Sequence, residues 1–236
     1  MSTCDLPGIV LVTGTGTDVG KTVVTAALAC VAAHSGRSVA VVKPVQTGVK
    51  GCEPGDAEIA TVLAGLYDIQ QSATHEFTRL DEPFAPDIAA RRAGIRLDPV
   101  GTYAERICKL CERFDLVLVE GAGGLLVRLD SDGGTLADLA RDLTDSTMIV
   151  VVSASLGTLN HSELTAEALR RRELDVAGLV VGSWPEDAGP VESENLIALP
   201  QVTGMPLLGG VPHGAGSLPP RHFPPQASGW LDLTSG

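Results

Sequence analysis

Continuous apolar runs alternate with longer segments of helical periodicity along most of this chain. Residues 9–13 read as a strand followed by a helix over 21–35. Residues 39–43 lead into a loop and a helix over 57–66. A third apolar run, 116–120, is followed by a glycine turn and a further apolar run at 125–129. Helix 135–143, strand 148–153, helix 159–172, strand 177–182, helix 193–203 and strand 207–211 complete the pattern. The strands are unbroken Val/Leu/Ile runs rather than alternating ones. That marks strands buried on both faces, hence a mainly parallel sheet with helices on each side. Ligand loops then collect at the carboxyl ends of the strands. Gly14, Lys43, Glu120, Ser153 and Gly182 each end or follow one of these runs.

Residues 68–99 interrupt the order. Pro83 and Pro86 break the periodicity and Arg91-Arg92 makes a short basic point, so this stretch reads as an excursion from the sheet and a candidate lid. The tail from Pro212 is rich in Gly, Pro and Ser and reads as loop, with Trp230 as a candidate anchor. No internal repeat is visible, and residues 1–236 read as a single domain.

The chemistry begins at Gly14-Thr15-Gly16-Thr17-Asp18-Val19-Gly20-Lys21-Thr22-Val23, between the first strand and the first helix. A glycine-rich loop there turns backbone N–H groups toward phosphate oxygens, the lysine adds a point charge, and the threonine hydroxyl can reach Mg²⁺. Gly14 lies one residue earlier than the usual spacing, so the loop is a variant. The second strand runs into Lys43-Pro44-Val45-Gln46-Thr47-Gly48. A lone lysine there would cap a strand. Beside a phosphate loop, in a chain whose only lysines are Lys21, Lys43, Lys50 and Lys109, it reads as functional, with Pro44 fixing a turn. Four apolar residues ending in Glu120, then Gly121-Ala122-Gly123-Gly124, resemble a Mg²⁺-side strand followed by an anion-facing turn. Asp56 reads equally well as a second Mg²⁺-side acid and as a helix N-cap. Gly157-Thr158-Leu159-Asn160-His161 opens a helix whose first amides could hold a carboxylate, though Thr158 could simply cap it, and His161 reads as surface or capping.

Charge and cysteines narrow the field. A net charge of −12 argues against nucleic acid as the main partner. Five cysteines, an odd number, do not form a disulfide framework, and Cys108 and Cys111 read as two small residues on one helix face. No apolar run has the length of a membrane span and no signal segment is visible, so a cytoplasmic location is expected and a membrane partner is not.

Taken together, the phosphate loop, Lys-Pro-Val-Gln-Thr-Gly, Val-Glu-Gly-Ala-Gly-Gly and Leu-Gly-Thr-Leu-Asn-His resemble the dethiobiotin synthetase family, in that family's order, from about residue 9 to about residue 218. The resemblance implies a phosphate-loop NTPase fold and a homodimer. It implies ring closure of 7,8-diaminononanoate with CO₂ or bicarbonate, driven by ATP or another nucleoside triphosphate with Mg²⁺. It implies that Lys21 and Lys43 are catalytic and that Thr22, Asp56 and Glu120 hold the metal. Residues 18–23 and 121–123 would surround the phosphates. Thr17, Lys43 and Thr47 would face the diamine, and Gly157, Thr158, Leu159 and Asn160 its carboxylate, across the dimer interface. Gly182, Ser183 and Trp184 with Pro212, His213, Gly214 and Ala215 would form the base pocket. Gly182 departs from the family's asparagine, so selectivity for adenine is in question. A switch ATPase of the partition or septum-positioning type would carry a lysine where Gly16 stands. A cobyrinate-type amide synthase would need a further glutamine-hydrolysing domain.

Overall fold

The computed structural model describes residues 6–66 and 72–233. Seven strands form one sheet: β1 (Ile9–Gly14), β2 (Val39–Thr47), β3 (Ser72–Leu80), β4 (Leu116–Glu120), β5 (Ser146–Val152), β6 (Val176–Trp184) and β7 (Leu207–Pro212). Their spatial order is β3-β2-β4-β1-β5-β6-β7, and every pairing is parallel. Eight α-helices accompany the sheet among the described residues: α1 (Lys21–His34), α2 (Asp56–Leu63), α3 (Pro86–Ala93), α4 (Val100–Cys111), α5 (Leu136–Asp142), α6 (Thr158–Arg170), α7 (Pro190–Thr203) and α8 (Phe223–Ala227).

Side chains alternate across each strand and so build two cores. Ile9 and Leu11 of β1 pack with Tyr103, Leu139, Leu169 and Leu199, so α4 to α7 cover that face. Val10 and Val12 pack with Leu28, Leu63 and Phe223, which puts α1, α2 and α8 on the other. The central strands are buried on both faces, which is why β1 and β4 read as unbroken apolar runs.

Four expectations are corrected. Residues 72–80 do not leave the sheet; they form its edge strand β3, paired with β2 from Val39↔Ser72 to Thr47↔Leu80. An edge strand faces water, and the polar sequence of β3 hid it. Of the rest of the expected excursion, residues 68–71 lie outside the described residues, and residues 81–99 leave the sheet and hold α3. Lys43 does not end its strand: β2 continues to Thr47 because β3 supplies partners beyond Val42, where pairing with β4 stops. Pro44 therefore sits within a strand rather than fixing a turn, between the paired positions Lys43↔Glu76 and Val45↔Thr78. Residues 125–129 form turns with one isolated bridge, Arg128↔Thr135, rather than a strand.

The tail is also more ordered than its composition suggests. It holds α8 and a short 3₁₀ turn at Ala215–Ser217. Trp230 packs edge-on against Phe223 with ring centroids 5.1 Å apart, the anchor its position implied. Cys30, Cys52, Cys108 and Cys111 are free thiols; Cys4 lies outside the described residues. Burial pushes the Cys30 thiol up to about 12, so it is an inert core group. No cluster of three or more His, Cys, Asp or Glu side chains is placed for metal binding among the described residues. None of their helices is long and apolar enough to cross a membrane.

Candidate active site

The carboxyl ends of β1, β2 and β4 open onto one cavity of about 670 Å³. The loop after β1 reaches it through two left-handed residues, Asp18 (φ 57°) and Gly20 (φ 98°). Aspartate tolerates that conformation better than most residues, and glycine is indifferent to it. Gly20 is also required by proximity: a Cβ there would lie 2.5 Å from the Gly182 carbonyl oxygen. Lys21 Nζ donates to the Gly16 carbonyl at 2.8 Å, so its ammonium folds back over the loop. Burial, then the neighbouring Lys43, lowers the Lys21 pKa. Anionic oxygens arriving at the loop would favour the ammonium and push its pKa back up.

Lys43 is the hub. Its Nζ lies 2.7 Å from Asp56 Oδ2 and 2.8 Å from Glu120 Oε1, and donates to the Gly121 carbonyl at 2.9 Å. Burial by itself would lower its pKa, but Glu120 and then Asp56 more than offset that, and the net shift is upward. Lys43 is thus held as an ammonium, a donor and a positive charge rather than a base. Three strands or helices converge to make this: β2 brings the lysine, β4 ends in the glutamate, and α2 begins with the aspartate.

The two readings of Asp56 are now separable. The N-cap position of α2 is Gly55, which has no side chain to cap the helix, so Asp56 is not the cap. The Asp56 carboxylate turns to Lys43, while its backbone N–H donates to Gln46 Oε1 at 2.8 Å.

Divalent metal fits this donor set. Thr22 Oγ1 donates to Glu120 Oε1 at 3.0 Å, and the second Glu120 oxygen, Oε2, is buried with no hydrogen-bond partner. An orphaned buried carboxylate oxygen is costly unless something else satisfies it. A hydroxyl and two carboxylates are hard oxygen donors, the kind Mg²⁺ takes together with water and phosphate oxygens.

Thr17, Asp18, Gly20, Thr22, Val23, Thr47, Ala122 and Gly123 also line this cavity. Other expected residues lie elsewhere. β6 runs on past Gly182, where the strand was expected to end, so Ser183 and Trp184 fall inside it, and Trp184 pairs with Pro212 of β7. Ser183 Oγ lies 3.0 Å from His213 Nδ1, and the His213 N–H donates to the Trp184 carbonyl at 2.6 Å. The two halves of the expected base pocket are therefore adjacent. Gly182 touches the back of the phosphate loop: a Cβ there would land on the Val19 carbonyl oxygen and 2.6 Å from Val151 Cγ1. Gly157 caps α6 in the left-handed conformation (φ 94°), and neither it nor Thr158, Leu159 or Asn160 lines the cavity. Thr158 Oγ1 and Ser162 Oγ are buried there without partners. Gln46, Pro83, Phe84 and Pro86 do line the cavity, although sequence reasoning gave them no role. Gln46 sat inside a quoted motif; the other three sat in the segment read as an excursion.

Comparisons with known proteins agree with the motif order. The AAA domain family model matches residues 9–221. The ATP-dependent dethiobiotin synthetase BioD of Streptomyces avermitilis is 56% identical over 225 residues, covering 94% of this chain and 91% of that protein. Its counterpart from Rhodococcus jostii is 52% identical over 226 residues, covering 96% and 95%. Solved structures with the same fold include the cell division ATPase MinD of Pyrococcus furiosus, with TM-score 0.58 and 19% identity over 96% of each chain. A ParA family ATPase of Chlorobium tepidum has TM-score 0.60 and 11% identity over 97% of this chain and 95% of that one. At such identities the MinD and ParA likenesses speak for the fold alone. At more than half identity over nearly the whole length, with the phosphate loop, the buried lysine and the glutamate-ended strand in one cavity, the chain belongs to the ATP-dependent dethiobiotin synthetase family.

Proposed function

We propose that this chain closes the ureido ring of dethiobiotin from 7,8-diaminononanoate, CO₂ and a nucleoside triphosphate. The observation that carries the reading is the convergence of Lys21, Lys43, Asp56 and Glu120 on one cavity. The reaction unites two anions, a carbamate and a triphosphate, and needs fixed positive charge where they meet.

The chemistry follows from these residues. A neutral substrate amine attacks CO₂; a C–N bond forms and the amine proton leaves to solvent, giving the carbamate. Lys43, kept as an ammonium, orients the carbamate oxygens together with Thr47 and Thr17. A carbamate oxygen then attacks the terminal phosphorus, and the bridging P–O bond breaks to release the nucleoside diphosphate. Lys21 and the amides of the phosphate loop stabilise the charge spread over the transferring group. The second amine attacks the carbonyl carbon and expels phosphate, which closes the ring. No protein nucleophile is required. Mg²⁺, held by Thr22, Asp56 and Glu120, would neutralise phosphate charge.

Homodimerisation belongs to the same reading. Leu156, Leu164 and Leu126 are 87%, 56% and 47% exposed. Leu126 and Leu164 border one surface depression, and Leu156 leads into the start of α6. Apolar exposure of this kind at the start of α6 is what a second copy would cover. A single domain over residues 1–236 is supported by one sheet that takes strands from Ile9 to Pro212. Free thiols support a cytoplasmic location, and the acidic charge supports the absence of a nucleic-acid partner.

The test is direct. The protein is incubated with 7,8-diaminononanoate, bicarbonate, Mg²⁺ and ATP or CTP, and dethiobiotin is read by mass spectrometry. Diamine-dependent product with matching phosphate release is expected. Nucleotide hydrolysis indifferent to the diamine would replace this reading with a switch ATPase.

A further inference from the structure

The cavity has an apolar wall that the chemistry above leaves unused. Pro83, Phe84, Ala85 and Pro86, between β3 and α3, line the same space as Lys43 and Thr47. Phe84 is 44% exposed, in a chain with only four phenylalanines. Yet it is firmly held. Arg92 of α3 donates through Nε and Nη2 to both Glu82 carboxylate oxygens, at 2.7 and 2.8 Å. The same guanidinium lies over the Phe84 ring, with Cζ 4.8 Å from its centroid. The Phe84 N–H donates to the Glu82 carbonyl at 2.9 Å. The loop also sits tightly on the end of β2. Gly48 is left-handed (φ +76°), a Cβ on it would meet Pro83 Cβ at 3.2 Å, and its N–H donates to the Leu80 carbonyl at 2.9 Å.

An exposed ion pair adds little to stability. A bidentate one that also grips an aromatic ring does something else: it fixes an apolar surface in place before any ligand arrives. We propose that Phe84 is a specificity-determining residue whose exposed ring covers the alkyl chain of the diamine substrate, with Arg92 and Glu82 as its positioning residues. The inference rests on the functional reading above. The two amines belong at Lys43 and Thr47, and the saturated chain attached to them needs an apolar neighbour within reach of that end. The wall that Pro83 packs against Gly48 supplies it.

The experiment compares wild type, Phe84→Ala, Phe84→Leu and Arg92→Gln on two substrates. One is 7,8-diaminononanoate; the other is 1,2-diaminopropane, which keeps the vicinal amines and lacks the carboxyalkyl chain. Ring product and phosphate release are followed, and nucleotide Kd is measured separately. Phe84→Ala is expected to raise KM for diaminononanoate about tenfold or more. Its kcat and nucleotide Kd should stay within about twofold. Phe84→Leu should recover most of the loss, and Arg92→Gln should raise KM by about threefold. None of the variants should alter KM for the short diamine. An unchanged KM for diaminononanoate, an equal rise with both diamines, or a weakened nucleotide Kd would each overturn the assignment. A wild type that hydrolyses nucleotide but forms no ring from diaminononanoate defeats the functional reading, and this inference with it. Normal wild-type turnover with unaffected variants defeats the inference alone.

Discussion

The pocket around Lys43 and the start of α6 are both expected to face anions, yet they are built in opposite ways. At Lys43 the chain supplies most of the partners itself: an ammonium, two carboxylates, a hydroxyl and a carbonyl from four elements are joined by contacts of 2.7–3.0 Å, and Glu120 Oε2 alone among them is left over. At α6 the cap is a bare glycine, two buried hydroxyls lack partners, and Leu156 stands in solvent. The difference teaches where each site gets its missing half. The first is assembled by long-range contacts within one fold and leaves one carboxylate oxygen for a ligand, while the second presents apolar surface that another molecule would have to cover.

The sharpest way to break this comparison is Lys43→Gln. Removing one member of a buried ionic cluster leaves Asp56 and Glu120 uncompensated, a loss of about 3–5 kcal/mol of stability. The pH dependence has a definite sign. The folded-state pKa of Lys43 is raised above its ordinary 10.5, so its contribution is fully present below that value and is lost as pH rises through the higher folded pKa. Denaturation of both proteins across pH should show a constant gap at neutral pH that closes in strong alkali. Turnover should fall further than nucleotide affinity. Equal stability of the two proteins would show that the cluster is not self-contained.

Lys21→Ala probes the same pocket with the other lysine. Loss of one preorganised donor should cost about 3 kcal/mol of transition-state stabilisation, a hundredfold or more in kcat. Folding stability should hold or rise, because burial and Lys43 already disfavour this charge in the nucleotide-free protein. Near-normal turnover in folded Lys21→Ala would remove it from the mechanism.

Leu156→Asp and Leu164→Asp test the open region. Light scattering should show a dimeric wild type and monomeric variants, and turnover of the variants should drop by about tenfold while nucleotide affinity is retained. A fully active monomer would show that α6 needs no second copy.

The smallest effect concerns the base. With glycine at 182, affinities for ATP, CTP, GTP and UTP should lie within about tenfold of each other. Gly182→Asn should weaken all four rather than favour ATP, because its Cβ would collide with the Val19 carbonyl behind the phosphate loop. A variant that gains adenine selectivity at undiminished affinity would contradict that contact.

Much was legible in the chain alone. The unbroken runs at β1, β4 and β5 announced buried parallel strands, because a strand covered on both faces cannot afford polar positions. The glycine-rich loop and Glu120 stood out because their residue types follow a strand end at short range, and both line the same cavity. What the chain concealed were features set by partners distant in sequence. The polar β3 is a strand only because β2 pairs with it, and β2 runs past Lys43 for the same reason. Asp56 read equally well as a helix cap until folding gave the cap position to Gly55 and placed Lys43 2.7 Å from the Asp56 carboxylate. Gly182 looked like a missing side chain and proved to be the space into which the phosphate loop packs. Local sequence determined which chemistry the loops could carry, since backbone conformation and residue type act over a few positions. The tertiary structure decided which charges meet, because ion pairs and close contacts join residues that only the assembled sheet brings together.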